Sequence, residues 1–326
     1  MYDRAAGTLR LSIVIPSAGR EEVLADCLRD LGLQAVSDIE YIAVLQFPSE
    51  TRIRRLREAG GPRLRLFDLR EPNASLARNI GLREARGEVV LFLDDDVRIP
   101  NPDFLHNHLR HYADPRVSGV YGQVLELGEA PTDRPEPGEI ETDWGWMKLP
   151  ANYARPCRTR NGASNNLSVR RDWALAVGGM DAWFEKGARR EETEFNLRYT
   201  KRYGPLVFDP EAGLTHLSAG GGSRSWGHVR RTVPMHHIVG HWYFLLRALR
   251  DQTIGARSVL LEIRHIAVAL VKNPQIGANP AVFVTNFARA GWGLAIAVTR
   301  VIRGPRRIDK LDPEDYREMF AAAEKK

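Results

Sequence analysis

Cysteine is nearly absent. Only Cys27 and Cys157 occur, far apart and matching no metal-ligand spacing, which excludes a disulfide framework and a cysteine metal cluster. Long apolar runs are also missing. No stretch reaches the ~18 uncharged apolar residues expected of a membrane span. Met1 to Arg10 lacks the apolar core of a signal peptide, so a reducing, cytosolic setting is expected. No Gly-Lys-Ser/Thr follows the first apolar strand, which excludes a P-loop. His237 and His241 sit four residues apart, but no acid stands between them as in a metalloprotease helix. What remains is an ordinary globular composition, 43% hydrophobic and 27% charged, able to bury a core. The net charge of +6 favours anionic partners such as nucleotide diphosphates or lipid headgroups.

The chain is organised around Val89-Val90-Leu91-Phe92-Leu93-Asp94-Asp95-Asp96. Five apolar residues read as a strand buried on both faces, with three carboxylates at its carboxyl end. In open α/β sheets that end is where ligands bind. Three adjacent acids repel one another unless a cation or a set of donors offsets the repulsion. In extended geometry Asp94 and Asp96 point one way and Asp95 the other. Two carboxylates on one side suit a hard divalent ion that also takes diphosphate oxygens. A polar turn capping the next helix is the competing account.

The first hundred residues alternate strand and helix. Leu11 to Pro16 is a strand, with Ser17-Ala18-Gly19-Arg20 as its loop and a helix to Leu31. Ile39 to Phe47 and Leu64 to Leu69 are further strands, and Thr51 to Ala59 is a basic helix. Asn73 or Ser75 can cap a helix to about Ala85, with Leu76 and Ile80 facing the sheet. Arg78 is off that face, and by itself reads as a solvated arginine. The alternation argues for a parallel sheet covered on both sides.

Taken together, Leu11 to Pro16, Ala77-Arg78-Asn79-Ile80-Gly81 and Leu91-Phe92-Leu93-Asp94-Asp95-Asp96 resemble the first half of family 2 glycosyltransferases in order and spacing. The resemblance implies a three-layer α/β fold of the type A nucleotide-sugar class, with a mostly parallel central sheet. It implies inverting transfer from a UDP-, GDP- or dTDP-linked sugar, with Mn2+ or Mg2+ as cofactor. It would place Pro16, Ser17, Gly19 and Arg20 along the nucleotide and Arg78 near its base or ribose. Asp94 and Asp96 would flank the diphosphate and metal, with Asp94 and Asp95 among the nucleotide contacts. The second strand departs from the family, ending in Gln46-Phe47-Pro48 where a short acidic or Asn-containing turn is usual; Gln46 occupies the nucleotide-contact position.

From Leu127 to Pro156 the composition shifts to Pro, Gly, Glu and Trp, a long loop of the kind that is functional or mobile. Trp144 and Trp146 either stack on a sugar face or anchor the loop. Asn165 and Asn166 offer amides to hydroxyls or a diphosphate, or are simply strand-edge residues. The segment from Arg189 to Tyr199 opens a helix whose acids suit the helix dipole. An inverting transfer needs one base. The family carries an acidic pair here, and Glu191-Glu192 stands in its place, so Glu192 inherits the base role with Glu191 in reserve. His216 follows a strand and precedes Gly220-Gly221-Gly222-Ser223-Arg224. Some relatives place a metal- or diphosphate-binding histidine there, and Ser223 and Arg224 add donors to the glycine loop.

Residues 8–225 thus read as the catalytic domain and 226–326 as a helical region. Its tryptophans, arginines and amphipathic faces suit packing, a homo-oligomer, or peripheral contact with the inner face of the cell membrane. Asn286 and Arg289 argue against a spanning helix, and Asp309 to Lys326 reads as a charged tail. A saccharide or lipid-linked acceptor is expected, and no nucleic acid. Two rivals stand beside this reading. A nucleotidyltransferase would want a lysine-bearing glycine loop after the first strand. A basic membrane- or nucleic-acid-binding protein would leave the clustered acids without a purpose.

Overall fold

The computed structural model describes residues 10–319 except 49, 72, 221–232 and 272–279. Four parallel strands form the centre: β1 (Leu11–Ala18), β2 (Ile39–Gln46), β3 (Leu64–Leu69) and β4 (Val89–Leu93). Between them run α1 (Glu21–Gly32), α2 (Glu50–Gly60) and α3 (Ala74–Glu84). The β4 run is buried along its whole length, as five consecutive apolar residues require of a central strand.

Beyond β4 the sheet becomes mixed. It continues through β5 (Val97–Arg98), β6 (Gly119–Glu126), β7 (Cys157–Thr159), β8 (Asn166–Arg170) and β9 (Leu206–His216). The strand order is β10-β3-β2-β1-β4-β8-β6-β9-β5, with β7 paired to β9 and β10 (Tyr316–Glu318) at the far edge. β8 lies antiparallel between β4 and β6, and β6 runs parallel to β9. Helices α4 (Phe104–Arg110), α5 (Pro137–Ile140), α6 (Arg171–Ala176) and α7 (Glu191–Tyr203) belong to this half.

The α3 helix lies so close to β1 that a Cβ on Gly81 would sit 2.2 Å from Val14 Cγ1. Its Asn73 cap accepts from Leu76 N at 3.0 Å. Asn79 holds the turn before α7 by exchanging bonds with Met180, donating to its carbonyl at 2.8 Å and accepting from its amide at 2.7 Å.

Three C-terminal helices follow: α8 (Met235–Arg250), α9 (Ala256–Val271) and α10 (Pro280–Arg303). With α7 and the 127–156 loop, α8 and α10 build a second core around Trp146, Phe184, Tyr243 and Phe244. The chain after α10 does not stay with that region. Arg306 pairs with Glu71, Arg307 with Glu194, and β10 adds to β3 at Leu69, Asp68 and Phe67. The segment read as a charged tail therefore supplies an edge strand to the central sheet.

Candidate active site

The carboxyl ends of β1 and β4 bring the acids and arginines together. Asp95 turns toward β1, accepting from Ser17 Oγ at 2.7 Å and from Arg20 Nε at 3.2 Å, with a second contact from Arg20 Nη2. It is fully buried, and burial raises its carboxyl to about 7 against the pull of Arg20. Asp96 turns the other way. Its Oδ2 accepts from Arg20 Nη1 at 2.9 Å and from Ala219 N at 2.9 Å. Asp94 faces Arg78, whose Nη2 donates to its Oδ1 at 2.8 Å.

Asp94, Asp96 and His216 each offer a ligand atom, all within 4.8 Å of one another. His216 Nε2 lies 3.2 Å from Asp96 Oδ1, and its Nδ1 lies 3.0 Å from Glu126. These acids, Asp96 first, raise the imidazole to about 9. Asp96 Oδ1 is buried and has no hydrogen bond of good geometry. Two carboxylates and an imidazole, with one buried carboxylate oxygen left over, are a fitting donor set for Mn2+ or Mg2+.

Arg78 is the hinge of the site. It is buried, correcting the solvated reading, because α3 packs almost all round and sends this side chain along the sheet's end. One guanidinium nitrogen pairs with Asp94 and the other with Glu191, which also accepts from Ser75 Oγ at 3.2 Å. Burial raises the Glu191 carboxyl, and Arg78 opposes the rise. Glu192, one residue on, is half-buried and makes no hydrogen bond among the described residues. Of the two acids, Glu191 is committed to structure and Glu192 is available.

Several expected contacts lie elsewhere. Pro16 is buried within β1, opposite Val44, and Ser17 and Asp95 are buried against each other. Gly19 and Arg20 remain at the surface of the loop, with Gly19 at φ +68°. Gln46 is buried with its Oε1 unpartnered, and Phe47 beside it is exposed.

Asn166 is fully buried and structural. Its amide donates to Gln123 O at 3.1 Å and Ala212 O at 2.8 Å, and its Oδ1 meets His108 Nε2 at 2.9 Å. Asn165 is half-buried with an unpartnered Oδ1. Trp146 lies in the second core against Phe244, and cations cover Trp144: Lys148 Nζ at 4.3 Å and the Arg257 guanidinium at 3.8 Å from the ring centre. Both tryptophans anchor the loop rather than offer a sugar platform. Ser223 and Arg224 lie outside the described residues.

Sequence reasoning missed Ser75 and Glu126, which hold Glu191 and His216. It also missed Arg190, whose ion pair reaches Glu262 on α9. Nothing in their local pattern marks them, since each partner is distant in sequence. His241, weighed against a metal pair with His237, is bound at 2.7 Å to the same Glu262.

A family model described as glycosyl transferase family 2 matches residues 12–174, half of the chain. The match includes all three acids and Arg78 but ends before Glu191. No curated protein matches significantly. Among solved structures, the chain is similar to a mannosyltransferase from Pyrobaculum calidifontis in complex with GDP-Man and Mn2+. The identity is 16%, the cover 90% of this chain and 88% of that one, and the TM-score 0.57. It is also similar to residues 1–349 of S. aureus TarS in complex with UDP-GlcNAc, with 12% identity, 87% and 81% cover, and a TM-score of 0.62. At these identities the likeness establishes the type A fold.

Proposed function

We propose that this chain, which belongs to glycosyl transferase family 2, transfers a sugar from a nucleoside diphosphate donor to an acceptor hydroxyl with inversion. The observation that carries the reading is the continuous chain Asp94–Arg78–Glu191, which joins the metal-type cluster to the acidic pair. Asp94, Asp96 and His216 would hold a divalent ion. When bound, that ion would offset the charge developing on the leaving diphosphate. Solved relatives of the same fold hold GDP-Man with Mn2+ or UDP-GlcNAc, which supports a nucleotide-sugar donor here.

Glu192 is the general base. As the acceptor oxygen bonds to the anomeric carbon and the carbon–phosphate oxygen bond breaks, its carboxylate takes the hydroxyl proton. Arg78 keeps Asp94 and Glu191 at a fixed separation, and Arg20 supplies positive charge at the mouth of the site. Gln46 would contact the nucleotide, and Asn165, whose Oδ1 is unpartnered, would serve the acceptor or the diphosphate. The nucleotidyltransferase and non-enzyme readings give way to the family match, which covers the acidic cluster.

The acceptor we favour is a saccharide or a lipid-linked sugar met at the inner face of the cell membrane. Support comes from the apolar side chains exposed on the last two helices: Leu260 and Ile263 on α9, and Val284, Phe287 and Trp292 on α10. The stretch Ala281–Arg303 is long and apolar enough to cross a membrane by length and composition. Its polar ties argue for lying along the surface instead. Arg289 donates to Val233 O at 3.0 Å, and Arg300 pairs with Glu185 at 3.1 Å.

A thermal-shift panel of UDP-, GDP- and dTDP-sugars with and without Mn2+ tests the reading. One nucleotide class should raise the melting temperature, and more so with metal. Identical melting with every nucleotide, metal present or not, would remove it.

A further inference from the structure

A buried charge network beside the acidic pair has no part in the chemistry above. Arg190 immediately precedes Glu191 and has left-handed backbone, φ 76°. Long side chains avoid that region unless the surroundings hold them there. What holds this one is Glu262 of α9, whose side chain is fully buried. Arg190 donates to it twice, Nε to Oε1 at 3.1 Å and Nη2 to Oε2 at 2.7 Å. His241 of α8 completes the network through Nδ1, 2.7 Å from Glu262 Oε1.

The guanidinium also lies over the rings of Trp146, 5.3 Å away, and Phe244, 5.8 Å away. The α8 helix closes on the same loop, since a Cβ on Gly240 would sit 2.7 Å from Arg189 O. A bidentate pair of this kind fixes geometry more than it adds stability.

The peptide carrying the acids is thus gripped on both sides. Arg190 is tied to the C-terminal helices, and Glu191 to Arg78 and Ser75. Glu192 follows directly on these two anchors, and its side chain makes no hydrogen bond of its own among the described residues. We propose that the Arg190–Glu262–His241 network is a positioning device, through which α8 and α9 set the direction of the Glu192 carboxylate. This rests on the reading of Glu192 as the base. Misplacing a reacting group by about 1 Å can cost on the order of 100-fold in rate without altering the reacting groups themselves.

The test uses the full chain and follows nucleoside diphosphate release from the nucleotide sugar selected by the thermal-shift panel. Glu262→Gln and Arg190→Met should each lower kcat by about 10- to 100-fold, with the donor KM within about two-fold. The double variant should be no slower than the slower single one, because the network acts as a unit. Arg190→Lys keeps the charge but loses the fork, and should fall between. In a Glu192→Gln background, Glu262→Gln should cost nothing further.

Wild-type kcat in the single variants, losses that multiply in the double variant, or a loss confined to KM would overturn the proposal. Slow Glu192→Gln with normal Glu262→Gln sinks the positioning role alone. Normal Glu192→Gln with slow Glu262→Gln sinks the base assignment, and with it Glu192 as the thing positioned. Thermal unfolding of each variant checks the fold; should Arg190→Met not fold, Arg190→Lys and His241→Gln carry the same comparison.

Discussion

At the scale of single residues, the division of labour between Glu191 and Glu192 decides the chemistry. Glu191 spends its carboxylate on Arg78 and Ser75, whereas Glu192 makes no such bond among the described residues. Glu192→Gln should therefore keep nucleotide binding and lose at least about 100-fold in turnover, the usual scale for a missing general base. Glu191→Gln should act differently. It leaves Arg78 buried beside a neutral partner, so the melting temperature should fall, and nucleotide affinity should weaken as Asp94 loses its orientation. Parallel calorimetry and turnover on the two variants separate the roles, and equal behaviour would contradict them.

That Asp94 and Asp96 leave the sheet together was legible as a pattern, because they follow a buried strand at its carboxyl end; nothing in that pattern brings His216 beside them. Asp95, Ser17 and Asn166 read in the sequence just like the other polar candidates. Their local sequence is equally polar, and only three-dimensional partners show that their capacity is already spent. The two accounts of the tryptophans could not be told apart for the same reason. An aromatic ring in a loop has no sequence mark that tells a sugar platform from an anchor, and here Lys148, Arg257 and Phe244 had taken the faces.

At the scale of elements, the alternation of the first hundred residues was readable because buried parallel strands are short apolar runs and their helices carry one apolar stripe. What the period could not convey was the closeness of contact. Gly81 lets α3 touch β1, where an added Cβ would lie 2.2 Å from Val14 Cγ1. Gly81→Ala should destabilise the protein by about 1–3 kcal/mol, the range for overpacking, and the shift should reduce turnover because Arg78 rides on the same helix. Chemical denaturation checks the first effect.

A second element-scale tie joins β9 to α4. Asp209 accepts from Arg110 at 2.7 Å and meets His111 at 2.7 Å, and its carboxyl is lowered to about 2. A lowered folded-state value means that the contribution is full above the unfolded value near 3.9 and disappears as pH falls toward 2. Asp209→Asn should cost on the order of 2 kcal/mol at pH 7 and almost nothing near pH 2, measured by denaturation at both.

At the scale of the whole molecule, the catalytic body and the C-terminal helices are stitched together at several points. Arg306 reaches Glu71, Arg307 reaches Glu194, and β10 closes the far edge of the sheet. The change of composition at residue 226 was legible in the sequence, whereas a return strand of three residues leaves no compositional trace. The outer apolar faces of α9 and α10 then look outward from a body that is basic overall, with a net charge of +6. Arginine and lysine near an anionic surface contribute about 1 kcal/mol each. Co-sedimentation with anionic liposomes should be strong at low salt and weaken as salt rises; protein that stays in the supernatant at every salt concentration would point to packing or oligomerisation instead.

Central to the proposed function is the acidic cluster of Asp94, Asp96 and His216 as a metal-diphosphate site. Isothermal titration of wild-type protein and of Asp96→Asn with a nucleoside diphosphate in Mn2+ tests that most directly. The prediction is metal-dependent binding by the wild type, and loss of the metal-dependent part in Asp96→Asn with the melting temperature largely kept. Equal affinity in the two proteins, or binding indifferent to Mn2+ in both, would contradict it.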